Sequence, residues 1–220
     1  MDRKLTVADF FCGAGGFSEG FRQAGFEVVF ALDNWKPAVE THKLNHPECN
    51  TVQLDILKLD TPEKIDRTVP DVDIIIGSPP CVSFSGSNKA GKADKSLGIQ
   101  LIESYLRIIL WKKSKGGLKY WLMENVPNSS NYTKDVYTWK ELGLPGTGHD
   151  LEIKNRNVFN AANYGAPQTR SRFVCGDYPF PKETHEKKEW KRYREVFSAL
   201  GDPNTKNNSP IKDPNFNFTI

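Results

Sequence analysis

The chain has 220 residues, 38% of them hydrophobic and 26% charged, with a formal net charge of +3. That is enough chain for one sizeable core, with or without a tail, and too mild a charge to demonstrate nucleic-acid binding by itself. No stretch approaches ~18 uninterrupted apolar residues, and Met1-Asp2-Arg3-Lys4 has no signal-peptide core, so neither a membrane span nor secretion is expected.

Taken in order, Leu5 to Phe11 reads as a first strand and Cys12-Gly13-Ala14-Gly15-Gly16 as a turn. Phe17 to Ala24 follows as a helix stopped by Gly25. Glu27 to Leu32 is a second strand ending in Asp33. Pro37 suits a helix start, and that helix runs to about Asn45, before Pro47. Thr51 to Leu54 is a third strand closed by Asp55, and Asp71 to Ile76 a fourth. Leu97 to Lys113 carries Leu101, Ile102, Tyr105, Leu106, Ile109 and Leu110 at helical spacing. Tyr120 to Met123 is a fifth strand ending in Glu124, with later strands at Leu151 to Phe159 and Arg172 to Gly176. Alternating strands and helices predict an α/β fold, a Rossmann-like, mostly parallel sheet with helices on both faces. Residues 1–178 are expected to form this domain. Residues 179–220 read as a polar extension with too little apolar content for a second core, apart from a short helix over Val196 to Leu200.

Four cysteines, Cys12, Cys49, Cys81 and Cys175, are scattered without a CxxC pair. This argues against a zinc site or a disulfide framework and fits a reducing cytosol. Cys81 stands apart. The β-branched run Val72 to Ile76 leads into Gly77-Ser78-Pro79-Pro80-Cys81, where two prolines stop any helix or ladder. The thiol is thereby delivered to a stiff loop at the carboxyl end of a buried strand, where α/β sheets bind ligands. It is either a nucleophile or a small buried hydrophobe in a turn.

The turn after the first strand brings Gly13, Gly15 and Gly16 to a helix start, where backbone can approach a ligand closely. A dinucleotide fingerprint would need glycine where Ser18 stands, so a nicotinamide or flavin site is disfavoured. Asp33 can bind ribose hydroxyls, Trp35 can stack on adenine, and Asp55 can accept from an adenine amino group. Helix capping by the two acids and rim packing by Trp35 are the plainer alternatives. Three such residues at consecutive strand ends favour an adenosine-type ligand.

Glu124-Asn125-Val126-Pro127 follows the fifth strand at the same sheet edge as Cys81. A partly desolvated carboxyl there can hold a proton above its free pKa. In Gln168-Thr169-Arg170-Ser171-Arg172 an extended backbone puts both guanidiniums on one face, suited to phosphate or base-oxygen recognition, or simply to blunting a sheet edge. Between Cys81 and Tyr120 the basic residues Lys89, Lys92, Lys95, Arg107, Lys112, Lys113, Lys115 and Lys119 outnumber the acids Asp94 and Glu103. That excess is either a polyanion-binding surface next to the Cys81 loop or a solvated face.

In series, Asp9-Phe10-Phe11-Cys12-Gly13-Ala14-Gly15-Gly16-Phe17, Pro79-Pro80-Cys81, Glu124-Asn125-Val126, Asn163-Tyr164-Gly165-Ala166-Pro167 and Gln168-Thr169-Arg170-Ser171-Arg172 resemble the cytosine-5 DNA methyltransferase family over residues 5 to about 176. The resemblance implies S-adenosylmethionine as methyl donor, leaving S-adenosylhomocysteine. Phe11, Ala14 and Gly16 would line its pocket, Asp33 or Asn34 would hold the ribose, and Trp35 would pack on the adenine. Asp55 and Ile56 would contact the adenine edge, and Pro80 and Leu97 would close the site. It implies Cys81 as nucleophile on a flipped cytosine, Glu124 on ring nitrogen 3, and Arg172 with Arg170 at the exocyclic oxygen. Double-stranded DNA is the implied partner, in a restriction–modification setting, acting on DNA in the cytoplasm and nucleoid.

Two departures from the pattern stand out. Val82 occupies the place of the family's usual Gln after the catalytic Cys. The target-recognition region and the two further motifs that follow it in family members are not matched. The expectation is a subunit whose second chain supplies recognition, or a truncated product, weak in DNA binding and turnover by itself. A non-catalytic scaffold of the same fold and an RNA cytosine methyltransferase are the alternative readings.

Overall fold

The computed structural model describes residues 3–81, 95–193 and 195. Val82, Lys89, Lys92, Asp94 and the helix expected over 196–200 lie outside the described residues. The chain divides into two units, residues 1–159 with 172–180, and residues 160–171 with 181–220.

The first unit contains β1 (Thr6–Phe10), α1 (Gly16–Gln23), β2 (Glu27–Asp33), α2 (Lys36–Asn45), β3 (Asn50–Gln53), α3 (Pro62–Thr68), β4 (Ile74–Gly77), α4 (Ser96–Ser114) and β5 (Tyr120–Asn125). Then come the short pair β6 (Val136–Tyr137) and β7 (Leu151–Glu152), followed by β8 (Asn155–Asn160) and β9 (Ser171–Asp177), whose ends reach the unit boundary. The main sheet has the order β3-β2-β1-β4-β5-β9-β8. Its first five strands run parallel, and β9 runs antiparallel to β5.

Side chains alternate between the two faces of the sheet, yet β1 and β4 are buried almost throughout, so both sheet faces are covered. Ala8, Phe10, Phe30, Leu32 and Ile75 pack with Ile102, Tyr105, Leu106 and Ile109 of α4 on one face. Val7, Val28, Ala31, Ile74 and Ile76 pack with Phe17 and Phe21 of α1 on the other. Each fully buried aliphatic side chain contributes about 1.5–3 kcal/mol, which is why β4 reads as an unbroken apolar run.

The structure differs from these expectations or adds to them at three points. Leu151 to Phe159 is two strands interrupted at residues 153–154, because β7 pairs with β6 while β8 joins the main sheet. The helix α3 gives little periodic signal in seven residues, yet Pro62 at its first turn and Thr61, whose hydroxyl accepts from Lys64 N, define its start. Of the basic residues expected beside Cys81, four lie elsewhere. Nineteen residues of α4 run about 28 Å back along the sheet. They deliver Lys112 to Asp71, Lys113 to Asp177 and Lys115 to Asp66, and Lys119 meets Asp73. These four cations are paired at the amino ends of β4 and β5.

Asp73 organises that far end. Its buried carboxylate accepts from Arg3 Nη1 and Nη2 at 2.7 and 2.8 Å and from Thr6 N and Oγ1, both at 2.9 Å. The Arg3 guanidinium first, with the Thr6 and Lys119 donors, holds its carboxyl well below the usual range. Asp73→Asn leaves buried donors competing for one acceptor. It is expected to destabilise the chain by about 3 kcal/mol, read as a lower urea midpoint. An unchanged midpoint would contradict the role given to this cluster.

A second buried network underlies the glycine turn. Ser18 Oγ donates to Asp9 Oδ2 at 2.6 Å, so His42 Nε2 (3.1 Å away) is the donor to Ser18 Oγ, and His42 Nδ1 accepts from Thr51 Oγ1 at 2.8 Å. Asp9 is fully buried, and its Oδ1 has no partner among the described residues. Burial pushes the Asp9 carboxyl from 3.8 up to about 7, against the Ser18 bond, with Asp33 adding a smaller upward push. Burial, then His46, lowers His42 to about 4. The folded chain therefore holds an extra proton on Asp9 between about pH 4 and 7, and stability on this account falls as pH rises across that window, by on the order of 4 kcal/mol. His42 acts oppositely between about pH 4 and 6.5. Asp9→Asn removes only the first effect. Its melting temperature should exceed the parent's most at pH 8 and by well under half as much at pH 5. An equal gap at both values would mean that Asp9 is not the titrating group.

Candidate active site

The site is built where β1, β2, β4 and β5 end. After β1, Phe11 adopts φ +58°, the one positive φ outside glycine among the described residues. A bulky side chain there stores about 1–2 kcal/mol, so neighbouring contacts must hold it. The turn continues through Gly13 (φ +55°) and Gly15 (φ +96°) into α1. A Cβ on Gly15 would lie 2.5 Å from the His46 ring. Glycine is required there both for conformation and for space. From α2, Asn45 Nδ2 donates to the Ala14 carbonyl at 2.7 Å and His46 Nε2 to the Gly15 carbonyl at 3.1 Å.

Asp33 ties this turn to the end of β2. Its Oδ2 accepts from Gly13 N at 3.0 Å and its Oδ1 from Trp35 N at 2.8 Å. Asp55 Oδ1 accepts from Leu57 N at 3.0 Å and caps a 3-10 turn at Ile56–Lys58. Asp55 thus caps a helical turn as the plainer reading expected, whereas Asp33 caps no helix and ties two loops together. Both also face a shared cavity.

The Cys81 loop is held from two sides. Ser78 N donates to the Phe10 carbonyl at 3.1 Å, and Ser78 Oγ to the Phe11 carbonyl at 3.2 Å. On the other side Asn125 Nδ2, buried, donates to the Pro79 carbonyl at 3.0 Å. Gly77 lies against Tyr105, whose ring would meet an added Cβ at 2.5 Å. Cys81 is half-buried, whereas Cys12, Cys49 and Cys175 are buried. Burial pushes the Cys49 thiol up to about 11 and the Cys175 thiol to about 12, and raises Cys12 further. Of the four thiols, Cys81 alone is placed to react.

Glu124 and Arg172 meet across the β5–β9 pair, with Arg172 Nε 2.7 Å from Glu124 Oε1 and both side chains about a quarter exposed. The carboxyl expected to be partly desolvated is about three-quarters buried and ion-paired. Arg170 belongs to the second unit. There its N–H donates to Asn160 Oδ1, and its carbonyl accepts from Ala161 N. Its side chain is exposed. Asn163 is the hub of that unit. Its carbonyl accepts from Thr184 N and His185 N, its Nδ2 donates to Glu183, and its Oδ1 accepts from Trp190 Nε1.

A cavity of about 430 Å³ is lined by Phe11, Leu32, Asp33, Asn34, Trp35, Leu54, Asp55, Ile56, Ser78, Pro80 and Leu101. Seven expected residues form its wall: Phe11, Asp33, Asn34, Trp35, Asp55, Ile56 and Pro80. Gly13, Ala14, Gly15 and Gly16 build the turn beside it without lining it. Leu97, 52% exposed, is not a wall; Leu101, one helical turn on, is. Residue spacing along α4 marked an apolar stripe but not which turn of it meets the cavity. Leu32 and Leu54 were legible only as strand residues. Ser78 and Asn125 gave no separate signal, because their roles are contacts to distant backbone.

These features are shared with known proteins. The family model for C-5 cytosine-specific DNA methylases matches residues 5–216. The chain is 35% identical over 183 residues to the type II methyltransferase M.XorII of Xanthomonas oryzae pv. oryzae, covering 79% of this chain and 40% of that one. It is 30% identical over 218 residues to M.AquIA of a Picosynechococcus strain, covering 92% of this chain and 85% of that one. The crystal structure of a Spodoptera frugiperda DNMT2 mutant superposes with TM-score 0.54 at 25% identity, over 83% of this chain and 54% of that one. The chain thus spans about half or less of two of these three proteins. With its motifs and sheet order, the match over nearly the whole sequence means that the chain belongs to the C-5 cytosine-specific DNA methylase family.

Proposed function

We propose that the chain is the catalytic part of a DNA (cytosine-5) methyltransferase, with S-adenosylmethionine in the cavity at the ends of β1, β2 and β4. The observation that carries this reading is that Pro80, adjacent to the half-exposed thiol of Cys81, is itself a wall of the cavity. The wall of the proposed donor site and the nucleophile are consecutive residues.

The cavity suits such a ligand. Phe11, Leu32, Leu54, Ile56 and Leu101 offer apolar walls for a purine, and Asp33 and Asp55 offer acceptors for hydroxyl and amino groups. The described lining includes no Lys or Arg. That favours a cationic or neutral nucleoside over a phosphate-bearing one. Trp35, 68% exposed, stands at the rim, where it can cover an adenine. When bound, S-adenosylmethionine supplies an electrophilic methyl group.

Carbon 5 of cytosine is too poor a nucleophile without help. Addition of the Cys81 thiolate to carbon 6 forms an S–C bond and moves electron density to carbon 5. Glu124 faces ring nitrogen 3 and Arg172 the exocyclic oxygen, the ion pair between them presetting both groups. After methylation, loss of the carbon 5 proton expels Cys81 and restores the ring. The base must leave the duplex to meet these groups. A second polypeptide supplies target recognition. The chain then works on DNA in the cytoplasm; no helix among the described residues is long and apolar enough to cross a membrane.

Duplex DNA carrying 5-fluorocytosine, incubated with the chain and S-adenosylmethionine, should accumulate a denaturant-resistant adduct that Cys81→Ser abolishes. An adduct that survives the substitution would refute Cys81 as nucleophile, and no adduct at all would favour a scaffold. Fast sequence-specific turnover by the chain alone would overturn the second-chain part. Trp35→Ala should weaken S-adenosylhomocysteine binding about tenfold in calorimetry, or about 1.4 kcal/mol. Unchanged affinity would place the adenine elsewhere.

A further inference from the structure

Ser78 is bonded to both halves of the site. It follows β4 and precedes Pro79-Pro80-Cys81, so it belongs to the nucleophile's loop. Its two donors reach consecutive carbonyls of the other loop, the N–H to Phe10 and the hydroxyl to Phe11. The second bond falls on the residue with strained backbone, whose phenyl ring is a cavity wall. Phe11 and Pro80 flank Ser78 on that wall, and beyond Pro80 comes the thiol. On the far side of the loop Asn125 grips Pro79, and Asn125 follows Glu124 in β5. A continuous bonded path therefore runs from the cavity wall through Ser78 to Cys81 and on to Glu124.

The two bonds of Ser78 differ in kind. The N–H bond extends the β1–β4 ladder by one residue beyond the Phe10–Gly77 pair, and any amino acid but proline would make it. The hydroxyl bond depends on the side chain. Phe11 needs an external restraint to stay at φ +58°, and the hydroxyl of Ser78 holds its carbonyl. Two prolines after Ser78 remove most of the freedom by which the loop could absorb a shift at Ser78 before it reaches Cys81.

Resting on the proposed nucleoside site, we infer that Ser78 is a positioning residue whose hydroxyl sets the Phe11 wall and the Cys81 thiol together, so that the ligand cavity and the nucleophile are adjusted by one side chain. Ser78 acts through Phe11 and through the loop, and no chemical step is assigned to it.

Cys81 is the one cysteine of four that is not buried, so alkylation by iodoacetamide in the folded full-length chain reports on it alone. The variants are Ser78→Ala, which keeps the N–H bond, and Ser78→Thr, which keeps the hydroxyl. Ser78→Ala is expected to change the ligand-free alkylation rate of Cys81 at least threefold and to weaken S-adenosylhomocysteine binding at least fivefold. Ser78→Thr should return both towards the parent values. Alkylation unchanged in Ser78→Ala, or changed without recovery in Ser78→Thr, overturns the inference. So does weakened binding with an unaltered thiol, which would confine Ser78 to the cavity wall. Should Ser78→Ala not fold, Ser78→Gly takes the same measurements. Failure of both to fold while Ser78→Thr folds and alkylates at the parent rate leaves the hydroxyl essential to the scaffold and overturns a purely positioning role. The thiol arm needs no ligand. A parent chain that binds no S-adenosylhomocysteine therefore counts against the nucleoside site while the alkylation comparison still decides on Ser78.

Discussion

The carboxylate of Asp33 takes two main-chain N–H groups from segments twenty residues apart, Gly13 of the turn after β1 and Trp35 beyond β2. Without it Gly13 N in the glycine turn would lose its acceptor, and Trp35 would lose the bond that sets its backbone at the rim. Everything the site presents to a ligand on that side follows from this one bidentate acceptor. The turn in turn depends on what lies beneath it. His42, Asn45 and His46 of α2 crowd Gly15 so closely that only glycine fits, while the buried Asp9–Ser18–His42–Thr51 chain joins β1, α1, α2 and β3 into one support.

The two ends of the sheet have been given different work. At the amino ends of β4 and β5, Asp73 gathers Arg3, Thr6 and Lys119, and neighbouring lysines are paired with acids. That end is electrostatically closed. At the carboxyl ends the polar groups are spent on holding backbone in place: Ser78 on Phe10 and Phe11, Asn125 on Pro79, Asp33 on Gly13. Those bonds leave a thiol, an ion-paired carboxylate and an apolar cavity facing outward. Preorganisation of this kind is what a reaction that must align a base, a thiol and a methyl donor demands of its scaffold.

The fold was largely readable because its strands are buried on both faces and its helices are amphipathic, so period and punctuation agree. Elements went unread where that agreement failed. The helix α3 is too short for a period to show, and β7 and β8 read as one continuous extended run that the tertiary structure divides between two sheets. The candidate site was readable in its motif residues, since Cys81 after two prolines and Asp33 at a strand end carry local signals. It was not readable in Leu101, because a helical stripe does not say which of its turns will meet a cavity.

What the amino-acid order determined by itself is the set of strand ends, the glycine turn and the identity of the reactive groups, because these depend on local backbone preference and side-chain chemistry. The tertiary structure alone decided which groups are neighbours. It paired Glu124 with Arg172, sent the basic run of α4 to acids at the opposite end of the sheet, and set Ser78 against the strained carbonyl of Phe11. Such contacts join residues some forty to seventy positions apart, and no local preference encodes them. They exist only once the parallel strands have brought their ends to one edge.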